Sequence, residues 1–191
     1  MRTPVAFVDA NVLVSKTLRL WLLMLRVYTQ GGLFVLHSTD EFFSAEHVAA
    51  PERDEARIFV DDVVDEPDLS DLSGADERTS RLHAAAVSSN AVYVIADAGL
   101  FDNVDLDELP YEVHTPDSFF MLVAANHAEA VDAVIEAHLG SADASKKPHL
   151  QLEQAGCPEF ATCVLAHMQR TFSGKSTHGI ADGLLLGSAT D

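Results

Sequence analysis

The stretch VAFVDANVLV, residues 5–14, decides the fold. Its first four residues are apolar and include β-branched and aromatic side chains, which is typical of a short buried strand. The strand ends at Asp9, and the apolar pattern resumes after Asn11. A carboxylate directly behind a buried strand either caps the helix that follows or faces a site at the end of a sheet.

Similar apolar runs recur along the chain and alternate with helical patterns. Strands are predicted at residues 5–9, 33–37, 92–96 and 111–114, and helices at 17–30, 38–49, 52–64, 76–89, 116–124 and 126–139. Ser38 and Glu41 have the spacing of a capping box at the start of the second helix. Continuous apolar strands separated by helices predict a mostly parallel sheet covered on both faces, that is, a three-layer α/β/α sandwich.

The composition changes after residue 140, so residues 1–140 are predicted to form the α/β domain. A polar linker follows, and two short helices are predicted at 148–156 and 158–171. Residues 141–172 would then be a C-terminal helical appendage. Residues 173–191 are rich in Gly, Ser and Thr and are predicted to be a flexible tail.

The chain is strongly acidic, with 30 Asp and Glu against 12 Lys and Arg and a formal charge of -18. This balance argues against a broad phosphate-binding surface, so a nucleic-acid substrate would require a cation or a basic partner. Cys157 and Cys163 match no zinc or redox motif and are interpreted as reduced thiols. No signal peptide is visible and the apolar run at 20–25 is too short to cross a bilayer, so a cytoplasmic protein without membrane contact is predicted.

Two aspartates are the main candidates for a functional site. Asp9 ends the first predicted strand and Asp97 ends the strand at 92–96. If these strands are neighbours, both carboxylates lie at one sheet edge, where a hard cation such as Mg²⁺ or Mn²⁺ would relieve their repulsion. Each aspartate alone is explained as well by helix capping. Asn11 is a lesser candidate that could orient Asp9 or only form a turn.

Three quoted stretches carry a resemblance to a known family: FVDANVL (7–13), GLFVLHS (32–38) before a helix with glutamate, and HAAAVSSNAVYVIADAGLF (83–101). Over roughly residues 4–125 the chain resembles the PIN-domain family and, within it, the VapC-like toxins of toxin–antitoxin pairs. The resemblance implies an α/β/α sandwich with acids that bind Mg²⁺ or Mn²⁺. It also implies hydrolysis of single-stranded RNA by an activated water, an antitoxin partner and a homodimer.

The resemblance also implies roles for individual acids. Asp9 matches the first family acid and Asp97 the position after the third family strand. The second acid is a helical glutamate, for which the chain offers Glu41 and Glu46. Glu46 is preferred because Glu41 is explained by the capping box, although the spacing leaves the choice open. Catalytic roles are therefore expected for Asp9, Glu46 and Asp97.

The third family acid falls on Thr79 in this chain. Asp76, one turn earlier, either reaches the metal site or only caps its helix. The expected metal ligands are therefore Asp9, Asp97, Glu46 and Asp76. Two functional hypotheses follow: a metal-dependent endoribonuclease of PIN type, or a degenerate, non-catalytic PIN-like protein that acts through protein–protein binding.

Overall fold

The computed structural model describes residues 3–46, 48–64, 72–140 and 147–178. In this part of the chain five strands form one parallel sheet in the order β3-β2-β1-β4-β5. The strands are β1 (Val5–Val8), β2 (Val35–Thr39), β3 (Asp62–Val64), β4 (Tyr93–Ile95) and β5 (Glu112–His114). The predicted α/β class with a parallel sheet is confirmed.

Helices cover both faces of the sheet. They are α1 (Ala10–Val14), α2 (Lys16–Tyr28), α3 (Glu41–Ser44), α4 (Ala50–Phe59), α5 (Glu77–Ser88), α6 (Pro116–Asn126), α7 (Ala128–Gly140), α8 (Pro148–Gln154) and α9 (Pro158–His178). Successive residues of β1 pack on opposite sides: Phe7 lies in the cluster that includes Leu82 of α5, and Val8 lies in the core that includes Leu22 of α2. This alternation gives the three layers predicted from the sequence.

The helix predicted at 38–49 is wrong. Ser38 is the fourth residue of β2, and its buried hydroxyl donates to the carbonyl of Val8 at 2.8 Å. The helix that follows is only the single turn α3, and it begins at Glu41 after Asp40. Ser38 therefore ties β2 to β1 and does not form a capping box with Glu41.

The helix predicted at 52–64 ends too late, because α4 stops at Phe59. Residues 62–64 form β3, which pairs with β2 at the edge of the sheet. Asp61 lies between α4 and β3. Its carboxylate accepts a hydrogen bond from the backbone N–H of Leu36 at 2.9 Å and pairs with Arg26 of α2.

The C-terminal helices share the core of the sheet's α2 side. Leu152, Phe160 and Val164 are fully buried in the same cluster as Trp21. Asp117 of α6 accepts the backbone N–H groups of residues 159 and 160 at 3.1 and 2.9 Å and so caps α9. Helix α9 also extends to His178, although the flexible tail was predicted to begin at residue 173. The predicted linker at 141–146, the end of the tail at 179–191 and residues 65–71 lie outside the described residues.

Candidate functional site

Asp9 stands at the carboxyl end of the central strand β1. Its backbone N–H donates to the carbonyl of Ile95 at 2.9 Å, so the adjacent strand β4 fixes its position. The residue is 2% exposed, and its side chain makes no capping hydrogen bond to α1. Capping therefore does not explain why this carboxylate is buried here.

Arg78 is the partner of Asp9. Its guanidinium donates to Oδ2 of Asp9 at 2.5 Å from the first turn of α5. Burial raises the pKa of Asp9 above its ordinary value, and the charge of Arg78 opposes that shift. Because a carboxylate inside a protein needs a counter-charge, Arg78 supplies at this sheet edge the positive charge that the resemblance assigns to a metal ion.

Asp97 lies on the same edge, as predicted from neighbouring strands. Its charge adds to the rise in the pKa of Asp9, so the two carboxylates interact through space. Asp97 is exposed, and its Oδ2 accepts a hydrogen bond from Nδ2 of Asn11 at 3.2 Å. Asn11 was a lesser candidate for orienting Asp9: its side chain binds Asp97, while a hydrogen bond from its backbone N–H lowers the pKa of Asp9.

Asp76 and Thr79 hold the start of α5. The carboxylate of Asp76 accepts the backbone N–H of Thr79 at 2.8 Å, and this bond lowers the pKa of Asp76. Thr79 is 1% exposed, and its hydroxyl donates to the carbonyl of Leu100 at 2.9 Å. Asp76 thus caps the helix, and Thr79 fastens that helix to the segment after β4.

Glu46 does not occupy the position that its choice assumed. The residue was expected on the helix predicted at 38–49, but α3 ends at Ser44 and Glu46 is an exposed turn residue. Glu41 is exposed as well, at the start of α3. Water solvates both carboxylates, so neither has the burial that distinguishes Asp9.

An open pocket of about 370 Å³ lies between the start of α5 and the segment after β4. Its lining includes Asp76, Arg78, Asp97 and Asn103. Gly74 closes one side with a φ of +82°, and a Cβ there would lie 2.1 Å from the carbonyl oxygen of Asn103. Only glycine permits this approach, which shapes the pocket wall.

The residues at this edge do not fit the metal ion implied by the resemblance. Within residues 3–46, 48–64, 72–140 and 147–178, no group of three or more His, Cys, Asp or Glu side chains is arranged to hold a metal. Mg²⁺ takes about six oxygen ligands in octahedral geometry, usually one or two carboxylates with waters and substrate phosphates, and those carboxylates must be free to bind it. Here Asp9 is held by a guanidinium and a threonine occupies the position of the third acid.

Arg78 is the site residue that sequence reasoning missed. It lies 69 positions from Asp9 along the chain, and no local pattern links the two. The available signal was indirect: a buried acid at a strand end requires a counter-charge, and Arg78 is next to the position where the resemblance implies an acid.

The comparisons leave the family open, because no protein-family model, curated protein or solved structure matches the chain significantly. Among the described residues no single helix is long and apolar enough to cross a membrane, and α6 with α7 reaches that length only as a pair bent by 111°. Cys157 and Cys163 are free thiols.

Proposed function

We propose that this chain is a PIN-like protein that acts by binding a basic protein partner, and that its strand-end acids do not form a nuclease centre. The observation that carries the proposal is the ion pair between Arg78 and Asp9. It satisfies the buried carboxylate with a side chain of the same protein, so the fold needs no cation at this edge.

The neighbouring residues support the same conclusion. Thr79 is buried and bonded to a backbone carbonyl, so its side chain secures the fold where the resemblance implies an acid. Asp76 is engaged as a helix cap, and Glu46 is solvated. Of the four expected ligands, Asp76 and Asp97 line one pocket and Asp97 interacts with Asp9, but Asp9 is already paired with Arg78.

The charges of the described residues favour a protein partner over RNA. Most of the arginines are bound to acids or carbonyls of the same chain: Arg19, Arg26, Arg53, Arg57, Arg78 and Arg81. Arg57 and Arg81 are paired only at the surface, but the net charge of -18 opposes the approach of phosphates. A basic protein would instead be attracted by this field.

The test is a calorimetric titration with Mn²⁺ of the wild type, Asp9→Asn and the matched control Asp102→Asn, which removes an exposed acid nearby. We expect the three proteins to give the same small heats and none to cleave single-stranded RNA in Mn²⁺. Binding or cleavage that is present in the wild type and Asp102→Asn but lost in Asp9→Asn would overturn the proposal.

A second candidate is the metal-dependent endoribonuclease, a toxin that cleaves single-stranded RNA with Mg²⁺ or Mn²⁺ and is held by an antitoxin. The closeness of Asp9 and Asp97 favours it, as does the 41% exposure of the Arg78 side chain, which leaves room for the guanidinium to turn into solvent. This candidate requires Arg78→Ala to cleave RNA at least as fast as the wild type in Mn²⁺. That activity must then disappear when Asp97→Asn is added.

The resemblance also proposes a homodimer. Light scattering coupled to gel filtration measures the mass directly, and one chain has a mass of 20.6 kDa. A single peak at the mass of one chain across the working concentration range would remove the homodimer from either candidate.

A further inference from the structure

The outer edge of β5 and the segment before it form a surface that the site does not use. In the described part of the chain, β5 is the last strand on its side of the sheet. The N–H of Glu112 donates to the carbonyl of Val92, just before β4, at 2.9 Å, and the carbonyl of His114 accepts from the N–H of Ala96, just after β4, at 3.0 Å. In a parallel ladder the residue between them, Val113, therefore turns its N–H and C=O outward.

An open groove of about 650 Å³ runs beside this edge. Leu106 and Val92 line it and are 51% and 41% exposed, so the groove carries apolar surface in contact with water. Its other lining residues include Leu109, Val113 and the acids Asp107 and Glu112. A free strand edge next to an apolar groove with acids is the arrangement that accepts an added strand from another protein.

The charge of this region selects the occupant. Residues 82–145 contain no lysine or arginine. The segment from the end of β4 to the start of β5 carries exposed acids throughout: Asp97, Asp102, Asp105, Asp107, Glu108 and Glu112. A second copy of the chain would place acids opposite acids, and RNA would bring further negative charge, so both are disfavoured.

We propose that this β5 groove binds an extended segment of a partner protein in which basic and apolar residues alternate. The backbone of the segment would pair with Val113. Its apolar side chains would cover Leu106 and Val92, and its basic side chains would meet Asp107 and Glu112. This inference rests on the proposed partner-binding function and gives it a location.

The experiment measures fluorescence anisotropy of a labelled peptide, acetyl-KVKLKVK-amide, with the full chain, and uses acetyl-EVELEVE-amide as the charge control. We expect only the basic peptide to bind. Asp107→Asn with Glu112→Gln should weaken binding about five- to tenfold, since each partly exposed charge contributes modestly. Leu106→Ser should weaken it by about tenfold through loss of apolar contact.

The matched control is Glu129→Gln with Glu136→Gln on α7, which removes the same charge from exposed positions outside the groove. This pair should leave binding within about twofold of the wild type. The basic peptide N-methylated at alternate residues should lose binding, since it cannot pair with Val113. Equal weakening by both pairs of substitutions, unchanged binding of the N-methylated peptide, or no binding to the wild type would each overturn the proposal.

The same protein preparations are assayed for Mn²⁺-dependent RNA cleavage, so the two proposals fail separately. Cleavage lost in Asp9→Asn would overturn the partner-binding function whatever the peptide does. Failure of the peptide to bind, with no cleavage, would overturn the groove alone.

Discussion

The guanidinium of Arg78 donates to the carboxylate of Asp9. The Asp9 side chain is 3% exposed, whereas the Arg78 side chain is 41% exposed. Water can therefore hydrate the guanidinium without its partner far better than it can hydrate the carboxylate. If Arg78 is removed, a buried carboxylate loses its counter-charge. If Asp9 is made neutral, the guanidinium is still partly hydrated. This asymmetry gives the first prediction.

Arg78→Met should destabilise the fold more than Asp9→Asn. We expect a loss of about 1–3 kcal/mol for Arg78→Met, reduced from the value for a fully buried pair by the exposure of Arg78. Asp9→Asn should cost about 1 kcal/mol or less, because asparagine keeps an oxygen that can accept from Arg78. Urea denaturation at pH 7 measures both. Equal losses, or a larger loss for Asp9→Asn, would contradict the ion-pair interpretation.

Thr79→Val should cost about 1–2 kcal/mol, because it leaves the partly buried carbonyl of Leu100 without the hydroxyl that it binds. Thr79→Asp, which restores the acid implied by the resemblance, should cost more, about 3 kcal/mol, since it buries a carboxylate against that carbonyl. Thr162→Val is the matched control: its exposed hydroxyl donates to the carbonyl of Pro158 at 3.0 Å. Thermal unfolding should show the largest loss of stability for Thr79→Asp, a smaller loss for Thr79→Val and the smallest for Thr162→Val. A stable Thr79→Asp would show that the position accepts an acid.

Asp117→Ala should destabilise the protein by about 1–2 kcal/mol, the usual effect of losing a helix cap. The capping bonds come from another helix, so the loss also loosens α9 from α6. Asp117→Asn retains an acceptor oxygen and should fall between the wild type and the alanine variant. Chemical denaturation followed by circular dichroism tests this order. An unchanged midpoint for Asp117→Ala would show that α9 starts correctly without the cap.

Stability should fall as the pH drops below the ordinary pKa of histidine, and His83 should contribute to that fall. Burial lowers the pKa of His83 from 6.5, and its Nδ1 lies 2.7 Å from the hydroxyl of Tyr111. A lowered histidine pKa means that the unfolded chain binds the proton more readily, so stability is present above pH 6.5 and is lost as the pH falls toward the folded pKa.

The measurement for His83 is the urea midpoint at pH 7.5 and pH 5.5. The wild type should lose more stability between the two values than His83→Gln does. His127→Gln, which changes an exposed histidine, should behave as the wild type. Identical losses in the wild type and His83→Gln would exclude His83 as a source of the pH dependence.

Strand ends were the most predictable part of the site. A buried apolar strand followed by an acid indicates where the acid will lie, and parallel pairing of β1 with β4 brings Asp9 and Asp97 together. The helical glutamate was not predictable in the same way. Its assignment depended on a long helix after β2, and Ser38 proved to be a strand residue whose hydroxyl crosses to β1.

The errors in the predicted secondary structure have a common physical origin. The spacing of Ala56, Phe59, Val60 and Val63 continues a helical period into β3. The bond of Asp61 to Leu36 and the pairing of β3 with β2 interrupt it. Contacts between distant parts of the chain decided this boundary, as they decided the partner of Asp9. A local pattern contains neither contact, so the sequence alone could not supply them.

Trp21 has a consequence of a different kind, for optical work on this protein. It is the only tryptophan. Its ring meets Phe160 of α9 edge-on at 5.0 Å and stacks on His138 of α7 at 5.1 Å. Light emitted by this one indole therefore reports whether the C-terminal helices are seated on the rest of the molecule. Any step in which they detach would shift the emission to longer wavelength, even with the sheet still intact.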